Sequence, residues 1–260
     1  MSELADRINA LDGELFARID PPTAWDRRSL LALHAAVAER QPSFGYLEIG
    51  SFRGGSLQVL MRDPRCARAI SIDPRTAITP DDERGTCTYD DNTTERMISA
   101  LAGLPGAAMD KLVTYDASPE ALAVASLPQP LHLAFIDGEH TDRAALRDAR
   151  FCAAALGGRG VIAFHDHQIV GGAIRAFLRE AWPDVSHAIA FTGRVFAIEL
   201  GDGRVLQAPV IERAIASRWH SVVWRLTSRP RSATALLAAW SAMPRVDSAA
   251  HAVRQRLSRA

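Results

Sequence analysis

The feature that most restricts this 260-residue chain is a rhythm in its middle, where short apolar runs alternate with segments of helical periodicity. The runs are Tyr46–Gly50, Ala69–Asp73, Lys111–Tyr115, Leu131–Asp137 and Gly160–His165. Each is rich in Leu, Ile, Val or Phe with little polar alternation, as a strand covered on both faces requires. Helical patterns are expected between them at Ser56–Arg62, Thr94–Ala102, Pro119–Ala125 and Thr141–Ala155. The last begins at a threonine suited to capping and stops at Gly157-Gly158. Such alternation predicts a parallel sheet, because a parallel connection needs a crossover long enough for a helix. After a further helix at Gly172–Trp182, the runs His187–Phe191 and Val195–Leu200 are separated only by Thr192-Gly193-Arg194. That gap fits a tight antiparallel hairpin at the end of the sheet.

The flanks read differently. Residues 1–43 are expected to form an N-terminal helical cap, its better helix over Ser29–Glu39 after Pro21-Pro22. Residues 44–206 hold the sheet domain, and residues 207–260 read as a basic helical C-terminal extension broken at Pro230 and Pro244. The extension carries nine arginines against two acids, Glu212 and Asp247. A tail packed on the core or on a second subunit, with solvated arginines, is the ordinary expectation; a membrane surface or an acidic partner is the sharper one. The polar stretch Thr79–Thr94, with Asp81, Asp82, Glu83, Asp90 and Asp91, is long for a connection and is expected to be a mobile loop at the site.

Lys and Arg total 30, as do Asp and Glu, so net charge gives no argument for a nucleic-acid partner. No stretch approaches the roughly 18 apolar residues of a membrane span. Cys66, Cys87 and Cys152 are odd in number and lack metal-ligand spacing, as expected of free thiols in a reducing compartment. Acids stand near the N-terminus where a signal peptide is basic and then apolar, so a cytoplasmic location is expected.

The glycines Gly50, Gly54 and Gly55 follow the first strand with spacing G-x-x-x-G-G. A glycine turn there lets a ligand approach the backbone near a helix N-terminus. The dinucleotide fingerprint wants G-x-G-x-x-G, so the spacing speaks against a nicotinamide-dependent oxidoreductase. Glu48 lies inside the strand, where an acid is costly without a partner, and a buried ion pair would explain it equally. Asp73 ends the next strand, 23 residues after Gly50, where a carboxylate can take both ribose hydroxyls or simply cap a turn. Together these features point to a nucleoside ligand.

Leu47-Glu48-Ile49-Gly50-Ser51-Phe52-Arg53-Gly54-Gly55-Ser56 resembles the first motif of class I S-adenosylmethionine-dependent methyltransferases, and Ser71-Ile72-Asp73-Pro74 their second. The resemblance covers about residues 44–200. It implies an α/β, Rossmann-like doubly wound, mostly parallel seven-stranded sheet with a terminal antiparallel hairpin, flanked by N- and C-terminal helical appendages. It also implies that Glu48, Gly50, Ser51, Gly54, Gly55 and Ser56 surround the methionine and ribose part of the cofactor. Asp73 would then hold the ribose, Asp116, Ala117 and Ser118 would edge the adenine, and Asp137 would close the cofactor site.

Two other strand ends carry polar groups, Ile136-Asp137-Gly138-Glu139-His140 and Phe164-His165-Asp166-His167. If the strands are neighbours, Asp137, His140, His165, Asp166 and His167 converge where open parallel sheets bind ligands. Aspartates at strand ends also cap helices, and a lone histidine is usually a satisfied core or surface group. Two carboxylates with imidazoles suit magnesium, or manganese where imidazole takes part. These segments resemble the natural-product sugar O-methyltransferases, macrolide-type included, and more distantly the metal-dependent catechol methyltransferases. That resemblance implies metal ligands at Asp137 and Asp166 with a third from His165 or His167, and His140 as general base beside Asp137. The expected partners are a small-molecule hydroxyl acceptor and a second copy of the chain in a homo-oligomer. A metal-dependent hydrolase built on the same Asp/His cluster is the rival enzyme class, and it leaves Glu48 and Asp73 unexplained.

Overall fold

A computed structural model describes residues 3–20, 22–201 and 204–215. Among them, nine strands follow in chain order: β1 (Phe44–Ile49), β2 (Cys66–Ile72), β3 (Ile78–Asp81), β4 (Gly85–Thr88), β5 (Leu112–Tyr115), β6 (Leu133–Ile136), β7 (Gly160–Phe164), β8 (Val185–Ala190) and β9 (Phe196–Leu200). Seven of them form one sheet in the order β5-β2-β1-β6-β7-β9-β8. The pairs from β5 to β7 are parallel, and β9 runs antiparallel between β7 and β8, so the expected terminal hairpin is present.

The strands of this sheet alternate their side chains between two cores, which is why their sequences are largely apolar on both faces. Phe44 and Tyr46 of β1, Phe135 of β6 and Ala163 of β7 face one layer. Leu47, Ile49, Ile136 and Phe164 face the other. The first layer includes α1 (Glu3–Asn9), α2 (Ala24–Arg40), α3 (Gln58–Arg62), α4 (Thr94–Ala102) and the C-terminal α7 (Pro209–Ala214); the second has α5 (Asp142–Ala155) and α6 (Gly171–Glu180). Thr23, Thr93 and Thr141 cap α2, α4 and α5 by accepting from the backbone N–H three residues on.

Two expectations need correction. Pro119–Ala125 is not an α-helix but two short 3₁₀ turns, Pro119–Ala121 and Val124–Ser126, with Leu122 extended between them. So short a segment before Pro128 and Pro130 cannot offset helix nucleation. The polar stretch 79–94 contains the antiparallel hairpin β3–β4, fastened to the sheet by a bridge between Asp81 and His140. The arginine-rich tail beyond residue 215 lies outside the described residues. No helix among the described residues is long and apolar enough to cross a membrane.

Strand β1 is flanked by β2 on one side and β6 on the other, so chain direction across the sheet reverses there. A crevice outside the carboxyl ends of such a pair is where an open α/β sheet binds its ligand.

Candidate active site

Gly50 leaves β1 with φ +86°, and a Cβ there would stand 2.3 Å from the Asp137 carbonyl oxygen. The β1 turn and the β6 end are thus packed backbone to backbone. A Cβ on Gly55 would lie 2.6 Å from the Asp20 carbonyl, and one on Gly54 3.1 Å from Leu101 and Met97. The three glycines therefore make room for the protein's own chain, and only through it for a ligand.

Glu48 is buried two residues before the turn. Its carboxyl accepts from Tyr46 Oη at 2.7 Å and from the Ser56 hydroxyl. Burial pushes its pKa up; those hydrogen bonds oppose, nearby Asp137 and Asp73 reinforce, and it settles at about 8. A carboxyl raised from 4.5 in the unfolded chain stabilises the fold in its neutral form, fully below about 4.5 and no longer once pH passes about 8. Glu48→Gln is always neutral. Its melting temperature should gain on the parent as pH rises from 5 to 9, whereas a gap independent of pH would contradict a buried neutral acid.

Asp73, at the end of β2, accepts from Phe52 N at 2.9 Å and Arg75 N at 2.8 Å, and lies 3.5 Å from the Arg75 guanidinium. It thereby pins the glycine turn to the neighbouring strand. Asp116 is exposed; it accepts from the Thr94 hydroxyl and sits 3.6 Å from Arg75 Nε. Ala117 and Ser118 follow it, half-buried, ahead of the first 3₁₀ turn.

The ends of β6 and β7 are adjacent, and most of the second constellation converges there. His165 Nδ1 is 2.9 Å from Asp137 Oδ1 and 3.7 Å from Asp166 Oδ2. His140 Nε2 is 3.7 Å from Asp137 and 3.5 Å from Asp166, without a hydrogen-bond partner. Burial opposes ionisation of Asp137, but the nearby His165 and His140 imidazoles, His165 first, outweigh it and hold the carboxyl well below the usual range. Burial likewise disfavours imidazolium at His140 and His165, yet the surrounding carboxylates raise both, His165 most.

His167 does not join this group. Its ring lies against Phe196, and burial pushes its pKa down to about 4.

Four residues outside the sequence-derived set complete the site. Asp81 of the hairpin approaches His140 Nδ1 at 3.1 Å, and Arg84 in the hairpin turn reaches His140 Nδ1 at 3.2 Å and Asp166 at 3.6 Å. Arg194, from the β8–β9 turn, donates to Asp166 at 3.1 Å. Asp26 of α2 faces His165 Nε2 at 3.4 Å.

A cavity of about 270 Å³ opens over these strand ends. Glu48, Gly50, Ser51, Gly55 and Ser56 line one side, Asp137, His165 and Phe135 another, and Asp20, Asp26 and Leu30 of the N-terminal segment a third. The Ser51 hydroxyl on its wall is buried with no hydrogen-bond partner, so a polar ligand atom fits there. Gly54, Asp73, Asp116, Ala117 and Ser118 lie outside this cavity. One ligand atom each from Asp137, His140 and His165 lies within 4.8 Å of the others, a spacing one metal ion can span. Asp166 instead faces two guanidinium groups.

Residues 47–167, from β1 to the His165–His167 segment, match the family model described as "Methyltransferase domain". No curated protein matches the chain. Among solved structures, the chain is similar to the O-methyltransferase TomG of Streptomyces achromogenes, involved in tomaymycin synthesis and solved with SAM: 19% identity, 78% of this chain and 91% of that one, TM-score 0.48. It is similar to an O-methyltransferase of Bacillus cereus in complex with SAH, at 16% identity, 76% and 91% coverage and TM-score 0.46. A spermidine synthase of Thermotoga maritima follows at 14% identity, 78% and 72% coverage and TM-score 0.43. At such scores these likenesses carry no argument about chemistry. The segment that matches the methyltransferase-domain model holds the glycine turn, the Asp137–His140 loop and the β7 end.

Proposed function

We propose that the enzyme is an O-methyltransferase acting on a hydroxyl of a small molecule such as a sugar or glycosylated natural product. The carrying observation is that Asp137 and His165, 2.9 Å apart, share one cavity with the glycine turn. S-adenosylmethionine, when bound, supplies an electrophilic methyl group on its sulfonium. Around it, Glu48, Gly50, Ser51, Gly54, Gly55 and Ser56 are assigned to the methionine side, Asp73 to the ribose, and Asp116, Ala117 and Ser118 to the adenine edge. Ser51 supports the assignment, since its buried hydroxyl lacks a partner.

Asp137 orients the acceptor hydroxyl by accepting its hydrogen bond. As the oxygen–carbon bond forms and the carbon–sulfur bond breaks, the hydroxyl proton passes to the Asp137/His165/His140 cluster, with His140 as general base. Cavity walls of Phe135 and Leu30 exclude water and hold the two reactants together.

A divalent cation, magnesium or manganese, belongs to the same proposal. Asp137, His140 and His165 fit it by spacing, and with the cation bound His140 would serve as a ligand in place of its role as base; Asp166 would first have to release Arg84 or Arg194, and His167 is turned away. Bound there, it would lower the acceptor's pKa. Metal analysis after EDTA dialysis, with activity before and after magnesium or manganese is restored, tests this. Activity unchanged by full metal removal would reject the cation and leave the methyl transfer standing.

The reading as a whole is tested by transfer of isotopically labelled methyl from S-adenosylmethionine to a panel of sugars and glycosides. Label recovered as a methyl ether is the expected result. Label on nitrogen or carbon acceptors alone would overturn the assignment to oxygen.

A further inference from the structure

We propose that Asp26, on α2 and outside the matched domain, is a positioning residue of the methyl-transfer site: it holds His165 by Nε2 so that Nδ1 faces Asp137 and the cavity. The inference rests on the methyl-transfer reading above.

Asp26 is the third residue of α2, where an acid commonly serves its own helix N-terminus. Here the carboxylate is 1% exposed and aimed across the molecule. Its Oδ1 accepts from Arg194 N at 3.0 Å, while Oδ2 takes the Thr23 hydroxyl and lies 3.4 Å from His165 Nε2. The β8–β9 turn is shaped to this approach. A Cβ on Gly193 would stand 2.8 Å from Trp25 Cβ and 3.0 Å from Asp26 Oδ1. One carboxylate thus joins α2, the end of β7 and the hairpin turn.

An imidazole offers two nitrogens, and fixing one fixes what the other can do. With Nε2–H given to Asp26, Nδ1 is the nitrogen left for the site, 2.9 Å from Asp137 Oδ1. Asp26, His165 and Asp137 all line the same cavity, which a fold staple placed elsewhere would not require. The demand on the ring is the same whether Nδ1 meets a proton or a cation. The N-terminal segment is then part of the catalytic apparatus.

The test uses the full chain and the acceptor found by label transfer. Asp26→Asn keeps the size and an acceptor for Arg194 N but loses the charge. It should lower kcat roughly 10- to 100-fold, the usual effect of removing an orienting partner, with acceptor KM and cofactor affinity unchanged. Asp26→Glu should restore part of the rate. In a His165→Asn background, Asp26→Asn should cost no further activity, because its effect runs through the ring. Wild-type kcat in Asp26→Asn, or a full additional loss in the His165→Asn background, would overturn the proposal. So would an Asp26→Asn variant whose lost rate comes only with lost cofactor binding. Failure of the wild type to transfer label at all would instead overturn the underlying reading.

Discussion

Asp137→Asn is expected to lower kcat by roughly three orders of magnitude, within the range set by removing a positioned acid–base group, while S-adenosylmethionine affinity changes little. The cause is local. Among the described residues, Asp137 is the one carboxylate that both faces the cavity and approaches both imidazoles, His165 at 2.9 Å and His140 at 3.7 Å. The amide keeps the side chain's size but cannot hold the negative charge that keeps His165 and His140 raised. The acceptor hydroxyl then loses its anionic hydrogen-bond partner and the cluster its capacity to take a proton. Single-turnover label transfer combined with calorimetric cofactor binding checks this. A variant that keeps more than a tenth of the rate would show that Asp137 is not part of the chemistry.

Gly50→Ala carries the largest expected cost to the fold. The residue sits at φ +86°, where a side chain pays about 1–2 kcal/mol. Its Cβ would also press on backbone, 2.3 Å from Asp137 O and 2.5 Å from Gly138 Cα, and no rotamer can relieve that clash. Overpacking of this kind adds about 1–3 kcal/mol, so a total near 3 kcal/mol and a melting temperature lower by roughly 6–12 °C are expected. The shift needed would move the Asp137 loop away from β1, so cofactor binding and turnover should fall together. Thermal unfolding of the variant within about 2 °C of the parent would mean that the β1 turn and the β6 end are not packed as described.

The fold was legible because its strands are buried on both faces. A run such as Val161–Phe164, or Tyr46–Ile49 with only Glu48 polar, lacks the alternation of a half-wet strand. The terminal hairpin was legible from the three residues Thr192–Arg194 between two such runs. The β3–β4 hairpin was not, because its residues are mostly exposed and no core demands an apolar pattern of them. The same holds for Pro119–Ala125, whose composition favours a helix that two prolines downstream leave too short to form.

The site divides in the same way. Asp137, His140, His165 and Asp166 stand at strand ends, so strand prediction alone brings them together. His167 had the right spacing, but the chain turns at Asp166, where φ is +45°, and the ring lies against Phe196. Asp81 meets His140 across 59 residues and Arg194 meets Asp26 across 168, separations that no local pattern encodes. Asp26 in particular looks like an ordinary acid in the first turn of a helix. The hairpin expected to be a mobile loop instead places Asp81 and Arg84 on His140, so it completes the site by contact.

Calorimetric titration of the full chain with S-adenosylmethionine, and separately with its demethylated product S-adenosylhomocysteine, bears most directly on the central claim. The account predicts micromolar binding of both, weakened in Ser51 and Asp73 variants that still melt like the parent. Absence of binding to either compound by folded protein would contradict it.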